Sequence, residues 1–230
     1  MKAVIPVAGA GTKLRPLTYT QPKPLIPVAG KPIIAFIIEQ LTAIGVRDFV
    51  FIIGYLGEKI QLFVEQQYPD LQKTFITQSE RKGSGHAIWT AREAIKDEDE
   101  IFIFFGDTII DFDFERMVEM PYTCLAVKKV NDPREFGVVE YDEDNFVSRT
   151  VEKPRIPKSD MAMVGFYKIR EVQMLIEGLQ QIINKNAQTD GEFPLTDALM
   201  YMIENGVKMK TIVADNWYDC GKKEVLLQTN

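Results

Sequence analysis

The strongest limit on how this chain can fold is the alternation, through its first half, of short apolar runs with helix-period segments. Apolar runs lie at 3–8, 48–53 and 101–105, with a shorter one at 74–77. Each has the length and composition of a buried strand. Between them the segments 32–44, 58–67 and 84–95 repeat their apolar residues at helical spacing, and Gly45 closes the first. A β-α-β-α order predicts a parallel sheet covered by helices through right-handed crossovers. Pro6 counts against an interior strand because it has no N–H to donate. Its place near the end of the first run, where pairing lapses, keeps the strand assignment. The second half changes character: 122–127, 137–141, 146–152 and 161–167 read as strands with no helix between most of them. They predict an antiparallel or mixed addition to the sheet. Helices return at 171–184 and 195–204, and a strand at 208–213. With no internal repeat, low-complexity stretch or linker, the chain reads as one α/β domain over 1–230.

Open parallel sheets bind ligands beyond the carboxyl ends of their strands, so the residues after each run matter most. After the first come Gly9 and Gly11, then Lys13, Arg15, Lys23 and Lys31 among Pro16, Pro22, Pro24 and Pro27. Glycine lets backbone N–H groups approach a ligand, lysine supplies point charge and arginine a planar fork, a combination suited to polyphosphate. A merely basic surface loop is the alternative. The two commonest glycine templates both fail: Leu14 breaks GxGxxG, and no Gly-Lys-Ser/Thr follows as in a Walker A loop. Gln78 follows the third run, and Gly83-Ser84-Gly85-His86-Ala87 opens the next helix, where backbone N–H groups are free to bond a base. Asp107, directly after an apolar strand, suits Mg²⁺ or serves as a turn or capping aspartate. Asp219, in W-Y-D-C-G, taken alone reads as a turn residue or a helix cap. Lys23 is held between two prolines that leave it little loop entropy to lose, whereas exposed lysines are ordinarily just solvated. His86 is a candidate general base, but its place at a helix start reads better as structural or base-adjacent. Glu152-Lys153 alone reads as a solvated ion pair.

Composition narrows the partners. A net charge of −6 disfavours a general nucleic-acid or anionic-membrane surface, so the basic cluster at 13–31 reads as a confined anion site. Two distant cysteines, Cys124 and Cys220, make neither a disulfide framework nor a zinc motif, and one histidine excludes a multi-histidine metal centre. Neither a signal peptide nor a run of apolar residues long enough to span a bilayer is present, which makes the cytoplasm the expected location.

The string Gly9-Ala10-Gly11-Thr12-Lys13-Leu14-Arg15-Pro16-Leu17-Thr18, followed by Pro22-Lys23-Pro24-Leu25, closely resembles a known signature. It is that of the sugar-1-phosphate nucleotidyltransferases, G-x-G-T-R-L-x-P-L-T with P-K-P-L or P-K-P-M downstream. Further similarities run to about Gly221. The resemblance implies a Rossmann-like fold: a mainly parallel mixed sheet flanked by helices, with a smaller antiparallel part that binds the sugar. It implies nucleotide contacts from Ala8, Gly9, Gly11, Thr12, Gln78, Gly83 and Ser84, and catalytic roles for Lys23, Asp107, Lys13 and Arg15. Asp107 and Asp219 correspond to the family's metal-binding aspartates, which implies Mg²⁺. Lys13 stands where the family usually has arginine; it keeps the charge and loses the bidentate fork. Phe136-Gly137-Val138-Val139-Glu140 and Val151-Glu152-Lys153-Pro154 resemble sugar-phosphate motifs, which implies contacts from Gly137, Glu152 and Lys153. Gly165 and the Glu192…Thr196-Asp197 element resemble further sugar-side motifs.

The implied reaction joins a nucleoside triphosphate to a sugar 1-phosphate by in-line attack at the α-phosphorus, releasing pyrophosphate. G-x-G-H-A at 83–87 resembles members using uridine or thymidine triphosphate, with glucose 1-phosphate as the expected acceptor. Guanylyl transfer to mannose 1-phosphate and cytidylyl transfer to glucose 1-phosphate are the alternatives. The family also holds regulatory proteins that bind nucleotide sugars without catalysis; retention of Lys23, Asp107 and Asp219 favours an enzyme. The chain is expected to be the catalytic domain alone, with no C-terminal β-helix. Its oligomeric state is open, a homo-oligomer among the outcomes.

Overall fold

The computed structural model describes residues 1–221. In chain order its elements are β1 (Lys2–Pro6), a two-strand ribbon of β2 (Pro27–Val28) and β3 (Lys31–Pro32), α1 (Ile33–Ala43), β4 (Asp48–Ile53), α2 (Gly57–Gln67) and β5 (Gln72–Thr77). There follow α3 (Ser84–Thr90), α4 (Arg92–Ile95), β6 (Ile101–Phe104), β7 (Thr108–Asp111), α5 (Phe114–Glu119), β8 (Thr123–Lys129), β9 (Gly137–Tyr141) and β10 (Val147–Glu152). The last are β11 (Met161–Ile169), α6 (Val172–Asn184), α7 (Leu195–Glu204), β12 (Met209–Val213) and β13 (Asn216–Asp219).

Strand β1 lies at the centre of the parallel part, between β4 and β6, and β5 extends it beyond β4. These strands are buried on both faces, which is why they read as nearly continuous apolar runs. Successive side chains nonetheless enter different cores. Ala3, Ile5, Phe49, Phe51, Phe102 and Phe104 pack with α1 and α2 on one face. Val4, Val50, Ile52, Ile101 and Ile103 pack with α3, α6 and α7 on the other. The result is a three-layer α/β structure, a parallel sheet with helices on both faces. Pro6 fits because its carbonyl, and hence its missing N–H, faces β6 after the β1–β6 register has ended at Val4↔Ile103. Its carbonyl is used there by Gly106 N, at 3.3 Å.

The second half joins the sheet through β11, which is antiparallel to β6, β8 and β9. Its last residues, Phe166 to Ile169, lie beside β6, whereas Ala162 lies beside β9. Gly165, at φ +89°, sits at the change of partner, and its carbonyl accepts from Phe105 N at 2.8 Å. Side chains avoid that backbone region, so glycine permits the bend. Strand β11 thus lies between β9 and β6, and residues of β9, β10 and the segment after β6 together line one cleft.

Three differences from the sequence reading have physical causes. The single helix expected at 84–95 is two, α3 and α4, broken at Ala91. At Ala91 the backbone bonds close over three residues, Ala91 N to the Ile88 carbonyl at 3.0 Å and Ala94 N to the Ala91 carbonyl at 2.9 Å, which interrupts the α-helical ladder. Strands β7 and β13, which pair with each other, were not expected, because T-I-I-D and N-W-Y-D are short and carry turn residues. Helix α5 was also missed; Asp113 caps it, accepting from Arg116 N at 2.9 Å. Among the described residues, no helix is long and apolar enough to cross a membrane.

Candidate active site

The glycine loop after β1 is folded by contacts with the basic loop that follows it. Gly11 has φ +59°, and a Cβ there would stand 2.9 Å from Thr18 Cγ2 and 3.1 Å from Lys23 Cβ. Glycine is thus required twice, for its backbone angle and for its neighbours. Thr18 Oγ1 donates to the Gly11 carbonyl at 2.8 Å and ties the two segments together. Buried Leu14 and Leu25 anchor them in the core. Pro22 leads into the short turn Lys23–Leu25, from which the lysine points inward. Its Nζ lies 2.6 Å from Asp107 Oδ2.

Asp107 and Asp219 are joined by the ribbon of β7 and β13. Its register sets Asp219 opposite Thr108, and Cys220 N donates to the Asp107 carbonyl at 3.0 Å. Asp219 Oδ1 accepts from Gly221 N at 2.9 Å. A Cβ on Gly221 would lie 2.7 Å from that oxygen and 3.1 Å from Lys23 Nζ. Two carboxylates therefore flank one ammonium in a space a single methyl would crowd. Burial pushes the adjacent Cys220 thiol up to about 12, with the Lys23 charge pulling the other way. No cluster of three or more His, Cys, Asp or Glu poised for a metal occurs among the described residues. Two oxygen ligands do fit Mg²⁺, which keeps waters and takes phosphate oxygens to complete its shell.

Two cavities open from this point, of about 590 Å³ and about 380 Å³. Lys23 and Asp107 line both, together with Gly11, Thr12, Ser84 and Phe105. All seven residues expected to contact nucleotide line the larger: Ala8, Gly9, Gly11, Thr12, Gln78, Gly83 and Ser84. Gln78 is buried; its amide nitrogen lies 2.9 Å from His86 Nδ1 and 3.3 Å from the Gly83 carbonyl. The glycines at 83 and 85 serve packing, since a Cβ on either would lie 2.8 Å from the Phe193 carbonyl. The Gly85 N–H, expected to be free for a base, is taken by that carbonyl at 2.8 Å. Ser84 Oγ accepts from Leu195 N at 3.0 Å, which leaves its hydroxyl proton to donate.

The smaller cavity holds Gly137, Glu152, Gly165, Lys13 and Asp219 in its walls. Glu152 Oε2 accepts from Thr196 Oγ1 at 2.6 Å. Burial pushes the Glu152 carboxyl above its ordinary range, against the opposing pull of the Thr196 hydroxyl and the Lys153 charge. A Cβ on Gly137 would stand 2.6 Å from Met163 Cε, 3.0 Å from Thr196 Oγ1 and 3.1 Å from Glu152 Oε2. Three expected residues sit differently. Arg15 is exposed over the Tyr19 ring, 5.2 Å from its centroid, and lines neither cavity. Lys153 is exposed at φ +40° outside both, its N–H donating to the Phe136 carbonyl at 3.1 Å. Glu192, grouped with the sugar side by resemblance, lines the larger cavity instead, while Thr196 lines the smaller and Asp197 neither.

A family model described as nucleotidyl transferase matches residues 2–230. The chain belongs to the nucleotidyl transferase family. All of this nucleotidyl transferase is 37% identical to 53% of the bifunctional protein GlmU of Methanocaldococcus jannaschii. It is 33% identical to 65% of a glucose-1-phosphate thymidylyltransferase of Streptomyces antibioticus. The chain thus spans about half to two thirds the length of these curated relatives. A crystal structure of UDP-glucose pyrophosphorylase complexed with UDP-glucose has the same fold, with a TM-score of 0.80 at 22% identity over 99% of this chain and 96% of that one.

Several residues of the nucleotidyl transferase cleft escaped the sequence reading. Arg81 lines the larger cavity from a loop, where a charged residue ordinarily means only solvent exposure. Trp217 lines the smaller one, its buried Nε1 without a hydrogen-bond partner among the described residues. The W-Y-D motif is the signal in the sequence for Trp217, two residues before the aspartate. Tyr167 and Met163 come from β11, whose bend at Gly165 only the pairing reveals.

Proposed function

We propose that this nucleotidyl transferase joins a nucleoside triphosphate to a sugar 1-phosphate, releasing pyrophosphate and forming a nucleotide sugar. The observation that carries this reading is the sharing of Lys23 and Asp107 by two cavities. A triphosphate in the larger and a sugar phosphate in the smaller would meet there, with the α-phosphorus at the junction. One sugar-phosphate oxygen forms a bond to that phosphorus as the bond to the β-phosphate bridging oxygen breaks, and pyrophosphate leaves. The attacking phosphate is already anionic, so no general base is needed.

Lys23 meets the charge that builds on the reacting phosphate, from a position fixed by its flanking prolines. Asp107 and Asp219 would hold Mg²⁺, which when bound supplies neutralisation and orientation of phosphate oxygens. Lys23, paired with Asp107 in the unliganded protein, would then turn to phosphate. The Gly9–Arg15 loop would hold the departing pyrophosphate, with Lys13 in the wall of the smaller cavity. Glu152 would accept from sugar hydroxyls. Arg15 and Lys153, both exposed, would reach pyrophosphate and sugar phosphate from outside the cavities. The favoured substrates are dTTP or UTP with glucose 1-phosphate, supported by the 83–87 loop and the named Streptomyces relative.

Pyrophosphate release with Mg²⁺ tests the reading, with dTTP, UTP, CTP and GTP each paired with glucose 1-phosphate and mannose 1-phosphate. Release that requires both substrates, strongest with dTTP or UTP and glucose 1-phosphate, is expected. Preference for GTP with mannose 1-phosphate, or for CTP, would replace the substrates and keep the reaction. Silence across the panel with nucleotide sugar still bound would replace the enzyme by a binding protein.

A further inference from the structure

Gln78 forms a buried part of the wall of the larger cavity, and its amide nitrogen faces two groups. One is the Gly83 carbonyl at 3.3 Å, the other His86 Nδ1 at 2.9 Å. A carbonyl can only accept, so the Gly83 contact assigns the nitrogen end of the amide to this side. The second N–H then needs an acceptor at His86, which requires Nδ1 to be bare and the imidazole proton to sit on Nε2. With both N–H groups taken by the Gly83 carbonyl and His86 Nδ1, Oε1 is the atom of Gln78 left to meet a ligand in the cavity it lines. Glutamine could otherwise turn over and offer either a donor or an acceptor.

We propose that His86 is a positioning residue that locks the Gln78 amide so that its Oε1 reads the nucleobase, favouring bases with a ring N–H, as uracil and thymine have at N3. The inference rests on the nucleotide reading of the larger cavity. Cytosine has an acceptor at N3, which would face Oε1 lone pair to lone pair. The resulting discrimination is a repulsion held in place by one neutral histidine.

The surroundings of His86 keep it neutral. Its ring centroid lies 6.1 Å from that of Trp89 and 6.5 Å from that of Phe193. Burial lowers its pKa, the Lys82 charge lowers it further, and Glu80 opposes them. The other charged groups on the elements packed around it are Arg92, 3.9 Å over the Trp89 ring, and Glu192, next to Phe193. Protonation would point an N–H at the Gln78 amide nitrogen, donor against donor. Turning the amide over to relieve this would set Oε1 against the Gly83 carbonyl. The lock therefore holds at neutral pH and opens as pH falls through the lowered pKa.

His86 is the sole histidine, so the nitrogen resonances of one imidazole report it directly in the unliganded protein. The expected state at neutral pH is the Nε2–H tautomer; an Nδ1–H tautomer overturns the proposal without reference to any substrate. Two variants test the consequence. His86→Leu removes the acceptor, and His86→Asn keeps an acceptor near the Nδ1 position without a titrating group. The kcat/KM preference for dTTP or UTP over CTP should fall about ten-fold in H86L, the worth of one hydrogen-bond preference, with the KM for sugar phosphate unchanged. H86N should keep the preference and lose the wild-type rise in nucleotide KM at acid pH. An unchanged preference in H86L, or an equal loss in H86N, assigns His86 to packing and overturns the proposal. Should H86L not fold, the tautomer and the H86N profile still decide. Failure of the wild-type protein to bind any of the four triphosphates in calorimetry would instead sink the nucleotide reading, and this inference with it.

Discussion

The two cavities of the cleft share a junction but are walled by different means. The larger lies at the carboxyl ends of parallel strands, and much of its wall is backbone: Gly9, Gly11, Gly83 and Gly106, with Gln78 as its buried polar side chain. The smaller lies against the antiparallel addition; Gly137, Gly165 and Gly221 line it too, but large side chains share its walls: Glu152, Thr196, Tyr167, Met163 and Trp217. Triphosphate offers the same oxygens whatever base it carries, and backbone N–H groups suffice to meet them. Sugars differ by the placing of hydroxyls, which calls for side chains with their own hydrogen-bond direction. The triphosphate arm of the larger cavity is thus suited to a shared chemistry, whereas discrimination falls to Gln78 at its base end and to the side chains of the smaller, and substitutions should separate them.

The largest effect is expected at the junction, which belongs to both sides. Asp107→Ala should abolish measurable pyrophosphate release, a loss of at least about 10³ in kcat, by removing a charge that acts on the reacting phosphates. Its side chain is 42% exposed, so circular dichroism should report an unchanged fold. Lys23→Ala follows, with kcat down roughly 10²-fold and both KM values moved together. A selective rise in one KM would assign Lys23 to that side alone. Gly137→Ala separates the cavities: its methyl would crowd Met163 and Thr196, so the sugar-phosphate KM should rise about ten-fold, the effect of a lost hydrogen bond or a displaced contact, with the nucleotide KM unmoved. A parallel rise in both would mean that the cavities are one site.

The smallest effect is a shift in pH dependence. Burial raises the folded-state pKa of Glu152, so its protonated form contributes stability at low pH that is lost as pH rises through that pKa. Sugar-phosphate binding should improve over the same rise, because the carboxylate is the form that accepts two hydroxyls. The Thr196 hydroxyl pulls this pKa down. Thr196→Val should therefore move the acid limb of the sugar-phosphate KM profile to higher pH and leave the nucleotide profile in place; initial rates across pH check both.

Much of the parallel half was legible in the sequence because local and tertiary signals agree there. Strands such as Ile101–Phe104 are buried on both faces and need apolar residues throughout. Gly11 and the proline-flanked Lys23 are constrained by backbone, which sequence states directly. The junction was legible only as separate residues. Asp107 and Asp219 meet through the β7–β13 ribbon, and the N-W-Y-D strand offers no period that distinguishes it from a turn. Exposed charges were the weakest ground: Arg15 beside the glycine signature and Lys153 of the E-K-P motif lie outside both cavities, while Arg81 lies within one. A long cationic side chain costs little to place either way, so its position leaves little trace in its neighbours.

The central claim is that both substrates meet across Lys23 and Asp107 for one direct displacement. The stereochemical course at the α-phosphorus tests it most directly, with a single diastereomer of the α-thiotriphosphate of the accepted base and its sugar 1-phosphate. Inversion in the nucleotide-sugar product is the predicted result. Retention, or a burst of pyrophosphate from triphosphate alone, would mean an intermediate on the protein and would contradict it.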